Sequence, residues 1–296
     1  MDKLTKKTKS AKYVSEFEDI FKCPICHASM KVEGARSLIC SNNHTFDFAK
    51  QGYINLLTHQ LKTKYGRELF EARRKLIVDG GFFEPLVAAI IEAVRDMEGK
   101  ETVKILDIGC GEGSHLASIC LGFGSETGAS AVGVGLDAAK EGVLAAAKYY
   151  EGHIWCVADL ANTPFKHQQF DIILNILSPS NYKEFNTVLK TDGVVIKVVP
   201  GSGYLKELRE SLFNKKEQQS YSNEDTVARF QRHYREVESI KVYYKMNLAN
   251  IFMRHLVLMT PLAWRASEES IKLFLDNELM DITVDPTILI GRKPKE

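Results

Sequence analysis

Two groups of residues in this chain have the types and spacing to do chemistry. The first opens at Phe21 as F-K-C-P-I-C-H and closes as L-I-C-S-N-N-H at His44. Cys23 and Cys26 are thus a C-x2-C pair and Cys40 and His44 a C-x3-H pair, with thirteen residues between the pairs. Three thiolates and one imidazole at that spacing suit a tetrahedral zinc ion. Four protein ligands would close the coordination shell, so such an ion holds a fold together and stands in for a core that about 25 residues cannot build. His27 is an alternative fourth ligand, although its place next to Cys26 would strain one knuckle. Cys23-Pro24-Ile25-Cys26-His27 also has the form of a haem attachment sequence. That chemistry needs an exported chain, and Met1 to Ile20 is polar and charged, without a signal-peptide core.

The second group is V-K-I-L-D-I-G-C-G-E-G-S, Val103 to Ser114. Ile105 to Ile108 has the apolar, β-branched composition of a buried parallel strand, and Gly109, Gly111 and Gly113 would let a ligand approach bare main chain. A dinucleotide site would place a glycine at 114 and no charge beside the pyrophosphate, whereas Ser114 and Glu112 stand there. S-adenosylmethionine, a cation without phosphate, suits that carboxylate better. Ligands of open α/β sheets sit over the carboxyl ends of the strands, which draws attention to Asp107, Asp137 and Asp159. Asp137 follows Gly109 by 28 residues rather than the usual ~20, the Gly/Ser-rich insertion Gly122 to Ser130 supplying the excess, and is expected to accept both ribose hydroxyls. Asp159 is placed to meet the adenine amino group. Asp107 would anchor the glycine loop or the methionine ammonium. Each taken alone is competent as an ordinary helix cap, but three carboxylates at matching strand ends favour a shared ligand.

The elements that must position these groups follow from periodicity. Strands at Val103–Ile108, Ala131–Leu136, Ile154–Val157, Phe170–Leu174 and Gly193–Val199 alternate with helical stretches, which predicts a parallel sheet with helices on both faces. The expected fold class is α/β, a Rossmann-like methyltransferase with a small N-terminal zinc-binding domain. After it, strand-like Ile240 to Leu248 and Ile282 to Gly291 predict an antiparallel edge pair, with helices at Ile251 to Trp264 and Glu268 to Leu279. Residues 1–20 read as a flexible tail, 21–60 as a zinc-binding RNA-recognition domain, 61–98 as connecting helices and 99–296 as the methyltransferase domain. A helix over Arg67 to Val78 carries Arg73, Arg74 and Lys75 and is expected to turn a basic face to a polyanion, ending at Gly80-Gly81.

At 296 residues and 45% hydrophobic content, one large core and a small satellite can be buried. No apolar run approaches the ~18 residues of a membrane span, so a soluble cytoplasmic protein is expected. Net charge is +1, but residues 1–75 carry +7 and the rest −6, an arrangement that suits nucleic acid as well as it suits a solvated lysine tail. Beyond the fourth strand, Asn175-Ile176-Leu177-Ser178-Pro179-Ser180 is where a methyl acceptor should sit, and the loop, Asn175 with it, is expected to position the acceptor's edge; a turn set by Ser178-Pro179 and a helix cap is an equal reading of the same residues.

The order of these pieces resembles the bacterial 23S ribosomal RNA guanine-N1 methyltransferases from about Phe21 onward. The resemblance is carried by C-P-I-C with the later C-x3-H, F-D-F-A-K-Q-G-Y-I-N-L-L, A-R-R, L-D-I-G-C-G-E-G and M-T-P-L-A-W-R-A at Met259 to Ala266. It implies zinc ligands at Cys23, Cys26, Cys40 and His44, and cofactor contacts at Phe83, the Gly111-Glu112 turn and Tyr204. Phe83 stands where the family has tyrosine and Tyr204 where it has histidine. The resemblance also implies a 23S ribosomal RNA substrate and a homodimer. A methyltransferase of a small metabolite, with a purely structural zinc module, is the alternative.

Overall fold

The computed structural model of the chain describes residues 4–61, 63–95, 100–213 and 222–294. The chain opens with α1 (Lys6–Ser15), followed by a three-stranded antiparallel sheet of β1 (Met30–Glu33), β2 (Ser37–Cys40) and β3 (Thr45–Asp47), and by the two-residue strand β4 (Ile54–Asn55). Helix α1 corrects the expected flexible tail. Its Thr5 side chain caps it by accepting from the Thr8 N–H, its Ala11 and Val14 are buried, and Ser10 Oγ donates to the Gly52 carbonyl. Four lysines, Lys6, Lys7, Lys9 and Lys12, mask a short apolar stripe that needs the rest of the molecule to cover it.

Next come α2 (Arg67–Arg74), continuing as a π-helical turn over Lys75–Asp79, and α3 (Glu84–Ala93), with Pro85 in its first turn. The alternating body is β5 (Thr102–Ile108), α4 (Ser114–Thr127), β6 (Ser130–Asp137), α5 (Lys140–Tyr149), β7 (Ile154–Val157), β8 (Phe170–Ile176), α6 (Tyr182–Val188), β9 (Leu189–Pro200) and α7 (Lys206–Leu212). The remainder is α8 (Glu224–His233), β10 (Tyr234–Lys241), β11 (Tyr244–Ala249), α9 (Asn250–Met259), α10 (Glu268–Leu275), β12 (Leu279–Val284) and β13 (Pro286–Pro294).

The eight-stranded sheet runs β10-β13-β9-β8-β5-β6-β7-β4. From β9 to β4 all neighbours are parallel, while β13 is antiparallel to both β9 and β10. The antiparallel ending is therefore present, but the last strand enters between β9 and β10, and β11 and β12 pair as a separate ribbon. The chain leaves β5 toward β6 and β7, then returns to lay β8 and β9 on the other side. Strand order thus reverses between β5 and β8, the place where such sheets open a ligand crevice.

One face of this sheet is covered by the N-terminal module itself. Phe21, Met30, Leu38 and Phe48 share a continuous core with Leu106, Ile108, Val134, Leu136 and Phe170 from β5, β6 and β8. Strand β4 extends the large sheet, pairing Ile54 with Cys156 and Asn55 with Val157. The division expected near residue 60 therefore falls within one packed body, and that at 98/99 lies outside the described residues. Among the described residues, no helix is long and apolar enough to cross a membrane.

Candidate zinc and cofactor sites

The two cysteine knuckles are built by the backbone. The His27 N–H donates to the Cys23 carbonyl at 2.8 Å and the Asn43 N–H to the Cys40 carbonyl at 2.8 Å, with His27 and Asn43 both at positive φ to close the turns. Cys40 Sγ also accepts from the His44 N–H at 3.3 Å. The Ala28 N–H helps hold the Cys26 thiol down at about 6, toward the thiolate that a metal needs.

Cys23 Sγ lies 3.5 Å and Cys40 Sγ 3.4 Å from His44 Nδ1, Cys26 Sγ lies 3.7 Å from Cys40 Sγ, and all four ligand atoms fall within 4.8 Å of one another. A tetrahedral zinc with ordinary bond lengths has edges of about 3.8 Å between sulfurs and about 3.5 Å between sulfur and nitrogen. The residues fit the ion. His27 is exposed and lies outside the cluster, so His44 is the imidazole of the set.

At the switch point, Gly109, Gly111 and Gly113 adopt φ of +86°, +56° and +85°. They serve different neighbours. A Cβ on Gly109 would overlap Ser178, which brings the end of β5 against the loop after β8, whereas a Cβ on Gly113 would strike Trp155 and Ala146. Gly113 thus permits close packing of helix on sheet. Asp137 holds the loop: its Oδ2 accepts from the Gly111 N–H at 2.9 Å and its Oδ1 from the Ala139 N–H at 2.8 Å. It is partly exposed, and each oxygen retains a lone pair for a ribose hydroxyl. Asp159 caps its own turn through Ala161 N–H at 2.8 Å and stands 4.0 Å from His59 Nε2.

Asp107 is the most perturbed of the three. It is buried, burial drives its carboxyl up to about 8, and its Oδ1 has no hydrogen-bond partner. A cationic ligand group would supply that partner. Glu112, also buried, receives Ser114 Oγ on one oxygen and pairs with Arg73 Nε at 2.9 Å on the other. Arg73 Nη2 lies 3.4 Å from His115 Nδ1, and burial drives that imidazole down to about 3, so it is neutral.

These contacts correct the basic face expected of α2. Arg73 turns inward to Glu112, and Arg74 lies 4.5 Å above the Tyr149 ring with Asp79 at 3.8 Å, leaving Lys75 exposed. Phe70, on the same helix, lies over Gly111 and Gly142.

Phe83 and Tyr204 both line a cleft of about 360 Å³ whose wall also includes Arg73, Ser178, Lys197 and Thr260. Asp107, Asp137 and Asp159 are not among its lining residues. Thr260 explains in part why M-T-P-L-A-W-R-A stands out in the sequence: Met259, Thr260 and Pro261 form one side of the cleft. Lys197 was missed, although a lone lysine inside Val194-Val195-Ile196-Lys197-Val198-Val199 is a signal that could have found it.

Asn175 does not behave as expected. It is fully buried. Its Nδ2 donates to the Ile108 and Pro179 carbonyls, each at 3.0 Å, and its Oδ1 accepts from Lys197 Nζ at 2.8 Å and Ser180 Oγ at 2.9 Å. The amide has spent its hydrogen-bonding capacity on the protein and staples the acceptor loop to β5 and β9.

Residues 21–64 match the zinc-ribbon family model described as "RlmA, N-terminal", and residues 105–193 match the model described as "Methyltransferase domain". The chain is 46% identical over 276 residues to a Bacillus subtilis (strain 168) protein named "Putative 23S rRNA (guanine-N(1)-)-methyltransferase YxjB", a match covering 93% of this chain and 97% of that one. It is 33% identical over 193 residues to the "23S rRNA (guanine(748)-N(1))-methyltransferase" of Streptomyces fradiae, covering 64% of this chain and 67% of that one.

Proposed function

The chain belongs to the 23S rRNA (guanine-N1)-methyltransferase family, and from that premise we propose that it methylates N1 of an unpaired guanine in a hairpin loop of 23S ribosomal RNA. The observation that carries this reading is the juxtaposition at the switch point: the glycine loop after β5 and the stapled loop after β8 meet at Gly109 and Ser178, and Ser178 lines the cleft. S-adenosylmethionine supplies an electrophilic methyl on a sulfonium when bound. Asp107 would take its ammonium, Asp137 its ribose, and Phe83 and Tyr204 the wall beside it. Cys23, Cys26, Cys40 and His44 would hold zinc, whose closed shell stabilises the fold.

Several features favour RNA over a small metabolite. Residues 1–75 carry a net +7 in sequence, and the zinc-binding module within them shares one core with the sheet, which would hold its lysines and Arg36 in place beside the body. At the cleft's rim, on the turn that begins with the lining residue Pro261, Trp264 is 46% exposed and its ring centroid lies 5.5 Å from that of Tyr65, itself 42% exposed. Exposed rings of that kind offer stacking surfaces to bases that a loop leaves unpaired. The enzyme's task is then alignment of N1, methyl and sulfur, for which a loop nucleotide gives up little stacking.

The test is to incubate the protein with S-adenosylmethionine and a transcript of the 23S hairpin and map the product by mass spectrometry. N1-methylguanosine at one loop position is expected. Equal turnover of free guanosine, or methylation at another atom, would overturn the reading.

A further inference from the structure

The acceptor cleft contains a buried cation that the protein leaves without a counter-ion. Lys197 projects from β9 in register with Asn175 of β8 and is 4% exposed. Its Nζ donates to Asn175 Oδ1 at 2.8 Å and to the Ser178 carbonyl at 3.2 Å, both neutral acceptors. An ammonium carries three hydrogens, so one is left over. Among the described residues no carboxylate lies within 4.0 Å of it, and the other cation on the cleft wall, Arg73, is already paired with Glu112. Burial pulls the ammonium down to about 8, leaving it mostly protonated at neutral pH. Holding a positive charge in an apolar strand without a partner is costly, and such a group in a cleft is placed for an incoming negative charge.

The geometry points to Lys197 as the group that donates a hydrogen bond to O6 of the acceptor guanine, stabilising the negative charge that reaches O6 when N1 gives up its proton. This rests on the guanine-N1 reading above. In the reaction the N1–H bond breaks and its proton goes to water. The N1–methyl bond forms as the sulfur–methyl bond breaks, and the electron pair of that bond returns to sulfur, cancelling the sulfonium charge. Lys197 neither gains nor loses a proton. It lowers the cost of the N1 anion by donating to O6, which shares the anion's charge through the C6 carbonyl, from a preorganised position in a wall that excludes water. Asn175, saturated by its own four bonds, sets where that donor stands: it is a positioning residue, and Lys197 is the catalytic one.

The experiment compares wild type, Lys197→Met, Lys197→Gln and Lys197→Arg on the 23S hairpin carrying either guanine or 6-thioguanine at the target, with S-adenosylmethionine affinity measured by calorimetry. Gln can still donate to Asn175 and Ser178, so it serves if Met disturbs the loop. On guanine, Met and Gln should lose about 10²–10³-fold in kcat, the usual loss for one oxyanion donor, with cofactor affinity within about threefold. Arg should retain more activity than either. Thioguanine has a more acidic N1 and a weakly accepting sulfur, so there the loss should shrink to less than about tenfold. An equal loss on both substrates, or a kcat within about twofold of wild type on guanine, would overturn the assignment. Failure of the wild type to make N1-methylguanosine would instead refute the guanine-N1 reading itself.

Discussion

Asp107 makes cofactor binding a proton-linked event whose size can be worked out. Its carboxyl is buried at the end of β5, lifted to about 8 by desolvation, with Oδ1 unpartnered. At pH 7 a group of that pKa is about 90% protonated. If the methionine ammonium of S-adenosylmethionine takes up the empty position, the charged form is favoured and the pKa falls back toward the ordinary carboxylate range near 4. Binding at pH 7 should then release about 0.9 proton. The affinity should rise about 25-fold from pH 6 to 7.5, because only the ionised fraction accepts the cation without paying the deprotonation cost. The cofactor's own α-amino group, with a pKa just under ~8, is about a third discharged by pH 7.5, which trims the net rise to about 15-fold and ends it above that pH. Calorimetry at fixed pH in buffers of different ionisation enthalpy reads the proton count directly. Asp107→Asn should bind weakly and without pH dependence. The sign for the ligand-free fold is opposite: a carboxyl whose folded pKa is raised costs stability progressively as pH climbs from about 4 to about 8, so Asp107→Asn should raise the Tm of the unliganded protein at pH 7.5. Proton release below about 0.2 at pH 7, with flat affinity over the window, would refute the assignment of Asp107 to the cofactor.

Chelating zinc, or Cys40→Ser, should lower the Tm of the entire molecule and not of a detached finger, because Phe21, Met30, Leu38 and Phe48 cover the sheet; calorimetry resolving an unperturbed main transition would contradict this. Arg73→Met should cost about 3–5 kcal/mol in urea denaturation by stranding buried Glu112, and Glu112→Gln in the same chain should recover part of the loss. Gly128→Ala, at φ +73° with nothing within 4 Å, should cost about 1–2 kcal/mol from backbone strain alone. Gly113→Ala adds a collision with Trp155 and Ala146 and should cost about 1–3 kcal/mol more, so equal losses from the two would speak against a packing role. Trp264→Ala should raise KM for the RNA about tenfold while leaving S-adenosylmethionine affinity in calorimetry unchanged, as loss of one stacking surface requires.

What the sequence made legible were properties of single positions and fixed spacings. C-x2-C and C-x3-H state a ligand set outright, and the alternation from Val103 onward states a parallel sheet, since each element carries its own period. Helix α1 was not legible because its two buried residues, Ala11 and Val14, are covered by a core drawn largely from strands far along the chain, and its Lys6 and Lys9 reach partners at Lys148 and Glu151, over a hundred residues away. The direction of Arg73 was hidden for the same reason: nothing in A-R-R tells which arginine finds a buried glutamate thirty-nine positions on.

Asn175 and Lys197 show the limit most sharply. Read along the chain, an asparagine after a strand that ends beside the cofactor loop is the natural group to hold an acceptor base, and a lysine within a hydrophobic run is an oddity. Parallel pairing of β8 with β9 sets them side by side, and the hydrogen-bond inventory then exchanges their roles. The amide is used up, while the ammonium keeps one donor. A residue's capacity for function is what remains after the fold has taken its share, and that remainder is a property of the tertiary structure. The same subtraction singles out Asp107, whose Oδ1 the fold leaves unclaimed, over Asp159, which spends an oxygen on its own turn.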